Sequence, residues 1–330
     1  MTTTAMPPAA STRRHQLVGL TSAFGIGMLV AVQSRINGEL GGILGDGVPA
    51  ALISFGTGLF VLLIATAVVP PVRRGLGNVW RTIRKPMRGH GSLRWWQCVG
   101  GVAGAFLVAT QSITVSVIGV AVFLVAGVAG QAISSLVVDR LGFGPAGPQP
   151  LTPLRIVGAL IALVAVALAV SEQLSHPDGL LLAVLPALAG VGTAVQQAIN
   201  GRVARTASPD AYGAVAAGVV NFLVGFVALL VVFLVDLALR GVPRHLPSEP
   251  WLYLGGLCGV IFISSAAAVV RVVGVFVLGL GTIAGQLIAS LFIDVFVPVA
   301  DKPITAPVVV GTLLALTAVV VAAVPNLRGS

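Results

Sequence analysis

The stretch "AVQSRING", residues 31–38, ends the first long apolar run of the chain and returns almost unchanged as "AVQQAING" at residues 194–201. Both copies combine a glutamine and an asparagine four positions apart and close on Ile-Asn-Gly. Two such polar octets in an apolar chain, 163 residues apart, indicate an internal duplication. Its architecture follows from the surrounding composition.

The composition is that of a membrane protein. The 330 residues are 57% hydrophobic and only 9% charged, with a mean hydropathy of +1.04, whereas soluble domains carry about 25% charged residues. Many apolar runs reach about 20 residues, the helix length that crosses roughly 30 Å of hydrocarbon. The 41 glycines permit the close backbone approach by which membrane helices associate. We therefore predict an all-α, polytopic membrane protein rather than a soluble one.

Breaks at glycine, proline and charge divide the chain into transmembrane helices. The pattern predicts ten, at residues 17–37, 49–69, 95–114, 117–138, 154–171, 179–200, 212–236, 251–269, 272–293 and 306–324. Only the short stretch "TQSITVS", residues 110–116, separates the third from the fourth, and little more than Arg271 separates the eighth from the ninth. The first follows Arg13 and Arg14 as a signal peptide would, but its apolar run is too long, so we interpret it as a permanent helix.

Orientation follows from the distribution of Lys and Arg between loops. With the N-terminus in the cytoplasm, 15 of the 19 basic residues fall inside, and 8 of the 10 acidic residues fall outside. The exceptions on the outer side are Arg35, Arg240, Arg244 and Lys302. The net charge of +9 is therefore a topology signal and not a nucleic-acid-binding surface. An even number of spans returns the C-terminus to the cytoplasm.

Three further motifs recur in the same order as the octet. They pair "WWQCVGGVAG" (95–104) with "PWLYLGGLCG" (250–259), "AGQAISSLVVD" (129–139) with "AGQLIASLFID" (284–294), and "PLTPLRIVG" (150–158) with "PITAPVVVG" (303–311). The offsets of 155, 155 and 153 residues stay close to that of the octet. The chain is thus predicted to be two five-span repeats, and because five is odd, the second is inverted in the membrane, as in many transporters.

The predicted domain boundaries follow from this division. Residues 1–16 form a cytoplasmic tail, 17–171 the first repeat, 172–178 a linker, 179–324 the second repeat and 325–330 a second cytoplasmic tail.

The motifs resemble those of the drug/metabolite transporter superfamily. The "AVQxxING" octets, the tryptophan with its Gly-Gly pair and "AGQxIxSLxxD" are similar in particular to its YdcZ-like family of inner-membrane exporters, in the double-repeat form. The resemblance implies a helical carrier or exporter of small molecules and names no substrate. The chain departs from the small multidrug-resistance relatives, whose first helix carries a membrane-embedded glutamate. Its first and sixth spans hold no acid, which argues against proton-driven cation efflux by that mechanism.

The octets provide the first candidate substrate-binding residues. Gln33 and Asn37 share a helix face, as do Gln196 and Asn200, because each pair is four residues apart. These amides either hydrogen-bond a polar substrate or serve the structure. In the structural alternative, the glycine after each asparagine ends its helix, and the glutamines bond between helices for roughly 1 kcal/mol or less.

The fourth and ninth spans carry a second candidate row at steps of four. Its members are Gln131, Ser135 and Asp139 in one repeat and Gln286, Ser290 and Asp294 in the other. A polar row on an apolar helix must face protein or water, since unsatisfied polar groups in hydrocarbon are costly. The row lines the translocation path or packs against a partner helix, and Gln131 and Gln286 are our first candidates for substrate contact.

Charged candidates lie at the ends of spans. Asp139 and Asp294 are expected to anchor gates or loops, with proton coupling as the alternative. Arg271 is a cytoplasmic turn charge or a partner for an anionic substrate. The basic segment 73–94 is expected to be a juxtamembrane loop that contacts anionic lipid headgroups, with protein binding as the alternative.

These residues predict a transporter of the plasma (inner) membrane that exports a small polar or amphipathic metabolite by alternating access. Lipid-linked flipping and a non-transporting scaffold are the alternatives. We expect no enzyme, cofactor or metal site, because the four histidines (15, 90, 176 and 245) lie outside the spans and no HExxH or paired-Asp motif is present. The expected partners are a small molecule and the bilayer. A monomer contains both repeats and is expected to be sufficient, and a homodimer is the alternative.

Overall fold

A computed structural model describes residues 9–84, 93–144, 147–148, 151–169, 171, 177–240, 246–297 and 305–328. The secondary structure of these residues is entirely helical. The α-helices are α1 (Ala9–Leu44), α2 (Gly47–Val68), α3 (Pro70–Arg84), α4 (Gly100–Ile118), α5 (Val120–Arg140), α6 (Pro153–Ala169), α7 (Pro177–Ala207), α8 (Ala211–Arg240), α9 (Gly255–Phe296) and α10 (Ala306–Arg328). Short 3₁₀ turns at Trp95–Cys98 and Pro250–Leu254 precede α4 and α9.

The all-α membrane prediction is confirmed. Within the described residues, seven helical stretches are long and apolar enough to cross a membrane: Val18–Leu44, Gly47–Val68, Trp95–Ile118, Val120–Arg140, Ala211–Leu239, Pro250–Val273 and Leu278–Phe296. The ten helices are not the ten predicted spans, because α3 was not predicted and α9 covers two of them.

The break between α4 and α5 lies at Gly119 and not within "TQSITVS". Gly119 has φ +82°, a left-handed conformation that glycine adopts without steric penalty. The polar residues before it are helical, and the hydroxyls of two of them are satisfied by their own helix backbone. Ser112 donates to the carbonyl of Val108 at 2.9 Å, and Thr114 to that of Thr110 at 2.7 Å. A polar stretch inside an apolar run is therefore not a helix break here.

Residues 73–84, which we expected to form a loop, belong to helix α3. The helix buries Val72, Gly75 and Val79, which share one face at steps of three and four, against α7 and α8. Asn78 fixes it by donating to the carbonyl of Ala207 at 2.9 Å. Trp80 is 56% exposed on the other side. The remainder of the predicted loop, 85–92, lies outside the described residues.

Helix α9 reverses direction, although its backbone stays helical through Arg271. A straight helix of 42 residues would measure about 63 Å. Both ends of α9 nevertheless contact the same end of α1. Asn37 packs against Gly255, and Arg35 Nε donates to the carbonyl of Val297 at 3.2 Å. Val273, midway, packs against Gly19 near the other end of α1.

The two octet helices run in opposite directions along α4. Gly38, at the end of the first octet, packs against Val115 near the C-terminus of α4. Asn200, at the end of the second octet, packs against Gly100 at the N-terminus of α4. The C-terminal ends of the α1 and α7 octets therefore lie at opposite ends of the bundle.

Each octet helix packs most extensively against a helix of the other half, α1 against α9 and α7 against α5. The contacts are glycine on backbone, with Gly27 against Thr282 and Gln286, and Gly190 against Gly127 and Gln131. Such close approach is how small residues stabilise membrane helix pairs. The two halves are therefore interlocked and not merely adjacent.

Candidate functional site

The first octet lies in a group of buried polar side chains that we call the first amide cluster: Gln33, Ser34, Asn37 and Gln111. Asn37 Nδ2 donates to Gln111 Oε1 at 2.9 Å, Gln111 Nε2 donates to Ser34 Oγ at 2.9 Å, and Ser34 Oγ donates to the carbonyl of Val30 at 2.8 Å. All four side chains are buried. The cluster joins α1 to α4, and it leaves Gln33 Oε1 without a hydrogen-bond partner.

The second octet lies in a corresponding second amide cluster: Gln196, Asn200 and Asn221. Here one residue of α8 holds two amides of α7. Asn221 Oδ1 accepts from Gln196 Nε2 at 2.9 Å and from Asn200 Nδ2 at 3.1 Å. Asn221 Nδ2 and Gln196 Oε1 are buried and have no hydrogen-bond partner.

The Gly-Gly motif of each half makes room for the octet of the other half. A side chain at any of four glycines would occupy the space of an octet amide. The pairs are Gly259 with Gln33, Gly255 with Asn37, Gly104 with Gln196 and Gly100 with Asn200. The octet of each half is therefore in direct contact with the Gly-Gly motif of the other half.

Between the two clusters lies a small cleft, which we call the central cavity. Gln33 and Gln196 line it, together with Asn221, Phe55 and Phe222. The phenylalanine rings are 4.8 Å apart between centroids, and each lies against a glycine of the opposite helix, Phe55 against Gly225 and Phe222 against Gly58. The predicted candidates Gln33 and Gln196 are thus brought together at one site. Asn37 and Asn200 belong to the clusters that hold them but do not line it.

The row on α5 and α9 lies elsewhere. Gln131 and Gln286 are only 3% and 5% exposed, and neither lines the central cavity. Gln131 Nε2 faces Gly279 across the α5–α9 contact, and the backbone of Gln286 packs against Gly27. The hydroxyls bond within their own helices, Ser135 to the Ala132 carbonyl at 2.8 Å and Ser290 to the Leu287 carbonyl at 2.9 Å. The row faces protein, as its polarity requires.

The two carboxylates anchor helix ends. Asp139 lies 3.8 Å from Arg155 Nη1 in a buried ion pair between α5 and α6. Asp294 Oδ2 accepts from the backbone N–H of Ala121 at 2.8 Å, in the first turn of α5. A carboxylate at a helix N-terminus is stabilised by the unpaired N–H groups and the helix dipole.

Arg271 donates from Nη1 to the carbonyl of Asp210 at 3.0 Å, and from Nη2 to that of Pro209. It therefore holds the short connection between α7 and α8. Neither Arg271 nor the two carboxylates line the central cavity.

Each octet helix has one arginine that binds the backbone just after the C-terminus of the helix against which it packs. Arg35, paired with Glu39, donates to the carbonyl of Val297 just after α9. Arg202 donates from Nε to the carbonyl of Phe143 and from Nη2 to that of Gly142, both at 2.6 Å, just after α5. Cations at helix C-termini satisfy carbonyls that lack an intrahelical partner. We call these contacts the Arg35 latch and the Arg202 latch.

A second small cleft lies between α5, α6, α9 and α10. Its lining is alanine, glycine, valine, leucine and isoleucine, apart from the polar side chains of Ser135 and Arg155. Of the predicted substrate-binding residues, only Ser135 lines it.

Sequence reasoning missed Asn221, Gln111 and the phenylalanine pair. Asn221 and the phenylalanine pair have a weak sequence signal. The segments "SFGTG" (54–58) and "NFLVG" (221–225) both begin with a polar residue followed by Phe, and both end with Gly. Gln111 stood inside the stretch taken as a helix break. No group of three or more His, Cys, Asp or Glu side chains suited to a metal occurs among the described residues.

Comparisons with known proteins agree with this architecture. A family model described as "Putative inner membrane exporter, YdcZ" matches residues 18–168 and again residues 181–321. No curated protein matches the sequence. One of 17 matching chains of solved structures, described as "Crystal structure of protein", superposes with a TM-score of 0.59 over 96% of this chain and 99% of that chain, at 16% identity. At that identity the likeness shows the fold alone.

Proposed function

The chain belongs to the YdcZ family of inner-membrane exporters, and from that premise we propose a secondary transporter that exports a small polar or amphipathic metabolite by alternating access. In this proposal the chain crosses the inner membrane ten times as two inverted five-helix repeats, residues 17–171 and 179–324. Helix α9 supplies two crossings, and α3 lies at the membrane surface. Both termini are cytoplasmic.

The inverted arrangement is supported by the directions of α1 and α7. The C-terminal ends of their octets lie at opposite ends of α4, so one octet is nearer each membrane face. The two separate matches of one family model give the same division of the chain. The charge bias places Arg35 outside and Arg202 inside.

The observation that carries the proposal is the lining of the central cavity. Corresponding residues of the two halves meet there: Gln33 with Gln196, Phe55 with Phe222, and Gly104 with Gly259. In inverted-repeat transporters the substrate site lies at the repeat interface, near the middle of the membrane. Gln33 and Gln196 then contact the substrate, and Asn37 and Asn200 hold the helices that carry them.

The other predicted residues take supporting parts in the cycle. Gln131, Ser135, Gln286 and Ser290 lie on α5 and α9, which slide against the octet helices as the halves rock. Asp139, Asp294 and Arg271 anchor helix ends and connections. One chain contains the whole cavity, so a monomer is sufficient for transport.

The experiment compares exported metabolites from deletion and overexpression strains and then tests variants of the cavity. Gln33→Ala with Gln196→Ala should abolish the export difference while the protein still inserts, because both amides that face the substrate are gone. Gln197→Ala is the matched control, since Gln197 is equally buried on α7 but does not line the cavity. Unchanged export in the double variant would contradict the proposal, as would the absence of any exported compound.

The second cleft favours one other function, the flipping of a lipid-linked substrate. Its lining is apolar apart from Ser135 and from Arg155, which is paired with Asp139, and such a lining suits an acyl chain. The test is transfer of fluorescent phospholipid between leaflets of proteoliposomes, with Arg155→Gln as the variant. Transfer at the rate of protein-free vesicles would exclude this function.

A further inference from the structure

Among the residues that the structure describes, those lining the central cavity include no ionisable side chain. Its polar groups are the amides of Gln33, Gln196 and Asn221, and its remaining residues are glycine, aliphatic or phenylalanine. The charged groups closest along the octet helices are engaged elsewhere, since Arg35 pairs with Glu39 and Arg202 binds the carbonyls after α5. A solute in this cavity therefore meets amides and rings but no counter-charge.

The three amides present unpaired polar atoms at the cavity. Gln33 Oε1, Gln196 Oε1 and Asn221 Nδ2 are buried without a hydrogen-bond partner, in side chains that are at most 3% exposed. Buried polar groups in proteins are nearly always hydrogen-bonded, and those that are not call for a ligand, water or a functional explanation. Because an amide both donates and accepts, a matching solute carries hydrogen-bond donors and an acceptor.

The rest of the wall is apolar. Phe55 and Phe222 close it with rings tilted by 33° to each other, and no side chain is tolerated at Gly58 or Gly225 behind them. Aromatic rings bind apolar or aromatic bodies by stacking and edge contacts. The wall therefore suits a compact solute with a flat apolar body.

From these observations we propose that the central cavity selects an uncharged solute, with a flat apolar body and both hydrogen-bond donors and an acceptor. The proposal rests on the transport function proposed above and names the substrate class of the same site. An ion would lose its hydration on entry and gain no opposite charge in return, which is unfavourable in a low-dielectric interior. A neutral solute exchanges its few water hydrogen bonds for those of the three amides.

A matched set of three probes tests the charge requirement on the purified full-length protein in nanodiscs. Benzamide, benzoate and benzylammonium have the same ring and nearly the same size, and at pH 7 they are neutral, anionic and cationic. Calorimetric titration should show benzamide binding at least tenfold more tightly than either ion. Equal or tighter binding of benzoate or benzylammonium would overturn the proposal, and so would failure of all three to bind.

Variants locate the binding. Gln33→Ala and Gln196→Ala should each weaken benzamide binding by about tenfold, the usual loss for one hydrogen bond to a buried partner. Gln197→Ala should leave it unchanged. If Gln197→Ala weakens binding as much as the other two, the probe binds outside the cavity and the proposal fails.

This result is separable from that of the export experiment. Export of a permanently charged metabolite that depends on Gln33 and Gln196 would leave transport standing and overturn the uncharged class. Selective benzamide binding in a protein that exports nothing would leave the cavity chemistry standing and overturn transport.

Discussion

The two amide clusters start from nearly the same octet and hold it in different ways. In the first cluster Asn37 bonds to Gln111 of α4, and Gln33 Oε1 has no partner. In the second, Asn221 of α8 accepts from both Gln196 and Asn200. Gln111 corresponds to Ala266 by the offset of 155 residues, and the match of "SFGTG" with "NFLVG" pairs Ser54 with Asn221, so the supporting helices of the two halves carry different polar residues.

The difference shows where a duplicated membrane protein has diverged. The octets and the glycines that receive them stayed alike because close helix packing depends on both. The supporting residues changed, so Asn221 holds Gln196 through its Nε2, while the Oε1 atoms of both Gln33 and Gln196 have no hydrogen-bond partner. The cavity thus presents two unpaired glutamine acceptors, one of them on a side chain that a neighbouring asparagine restrains.

Loss of Asn221 should give the largest effect. Asn221→Ala leaves Gln196 Nε2 and Asn200 Nδ2 as buried donors without their acceptor, which should lower the free energy of unfolding by about 3 kcal/mol. Ser54→Ala, the corresponding change in the other half, should have almost no effect because Ser54 Oγ has no hydrogen-bond partner. Thermal unfolding of the two purified variants in the same detergent measures both. Equal destabilisation would remove the claimed asymmetry.

The glycines give a smaller and more selective contrast. A Cβ at Gly104 would collide with the amide of Gln196, which its bond to Asn221 holds in place, so Gly104→Ala should cost about 2 kcal/mol. At Gly259 a Cβ would lie 2.9 Å from Gln33 Nε2 and 3.0 Å from Phe222 Cζ, both farther than the contact at Gly104, so Gly259→Ala should cost about 1 kcal/mol.

Unfolding temperatures of the two variants, each with and without Asn221→Ala, test the reason for this contrast. Once Asn221 is gone, Gln196 is released, and the Gly104→Ala penalty should fall toward that of Gly259→Ala. A penalty that does not change would mean that the backbone, and not the restrained amide, resists the added methyl group.

Much of this arrangement was predictable from the sequence. Composition and apolar runs predicted the all-α membrane class, and the repeated motifs predicted which segments correspond. Contact between the octets and the Gly-Gly motifs explains why these motifs are alike in the two halves. In a close-packed contact, a larger side chain on one helix requires a compensating change on the other.

The rest depended on helix rotation and pairing, which spacing does not determine. The four-residue spacing predicted that each glutamine, Gln131 or Gln286, shares a helix face with the other polar residues of its row. It did not determine whether that face points toward α7, α1 or the cavity. Phe55 and Phe222 were hidden among apolar neighbours, where a buried aromatic residue carries no signal of its own. Helix α3 was hidden because its five arginine and tryptophan side chains resemble a basic loop, and its buried face spans only Val72, Gly75 and Val79.

The latches extend the comparison to the ends of the octet helices and should give the smallest effect. Arg202 makes two hydrogen bonds of 2.6 Å to carbonyls after α5, whereas Arg35 makes one of 3.2 Å to the carbonyl after α9. If the halves rock, each latch must open when its face opens. Arg202→Ala should therefore shift the population toward the open inner face by about 1 kcal/mol, roughly a fivefold change, and Arg35→Ala should shift it less and in the opposite direction.

Cysteine labelling measures these shifts in whole cells. Cys98 and Cys258 are first replaced by alanine, and a single cysteine is then introduced in place of Ser34 or of Gln197, one in each octet. Arg202→Ala should speed labelling of the Gln197 position from the inner side and slow that of the Ser34 position from the outer side, because one rocking motion links the two faces. Faster labelling at both positions would mean that the latches only hold the fold together. In that case the difference between the two amide clusters would bear on stability and not on the direction of transport.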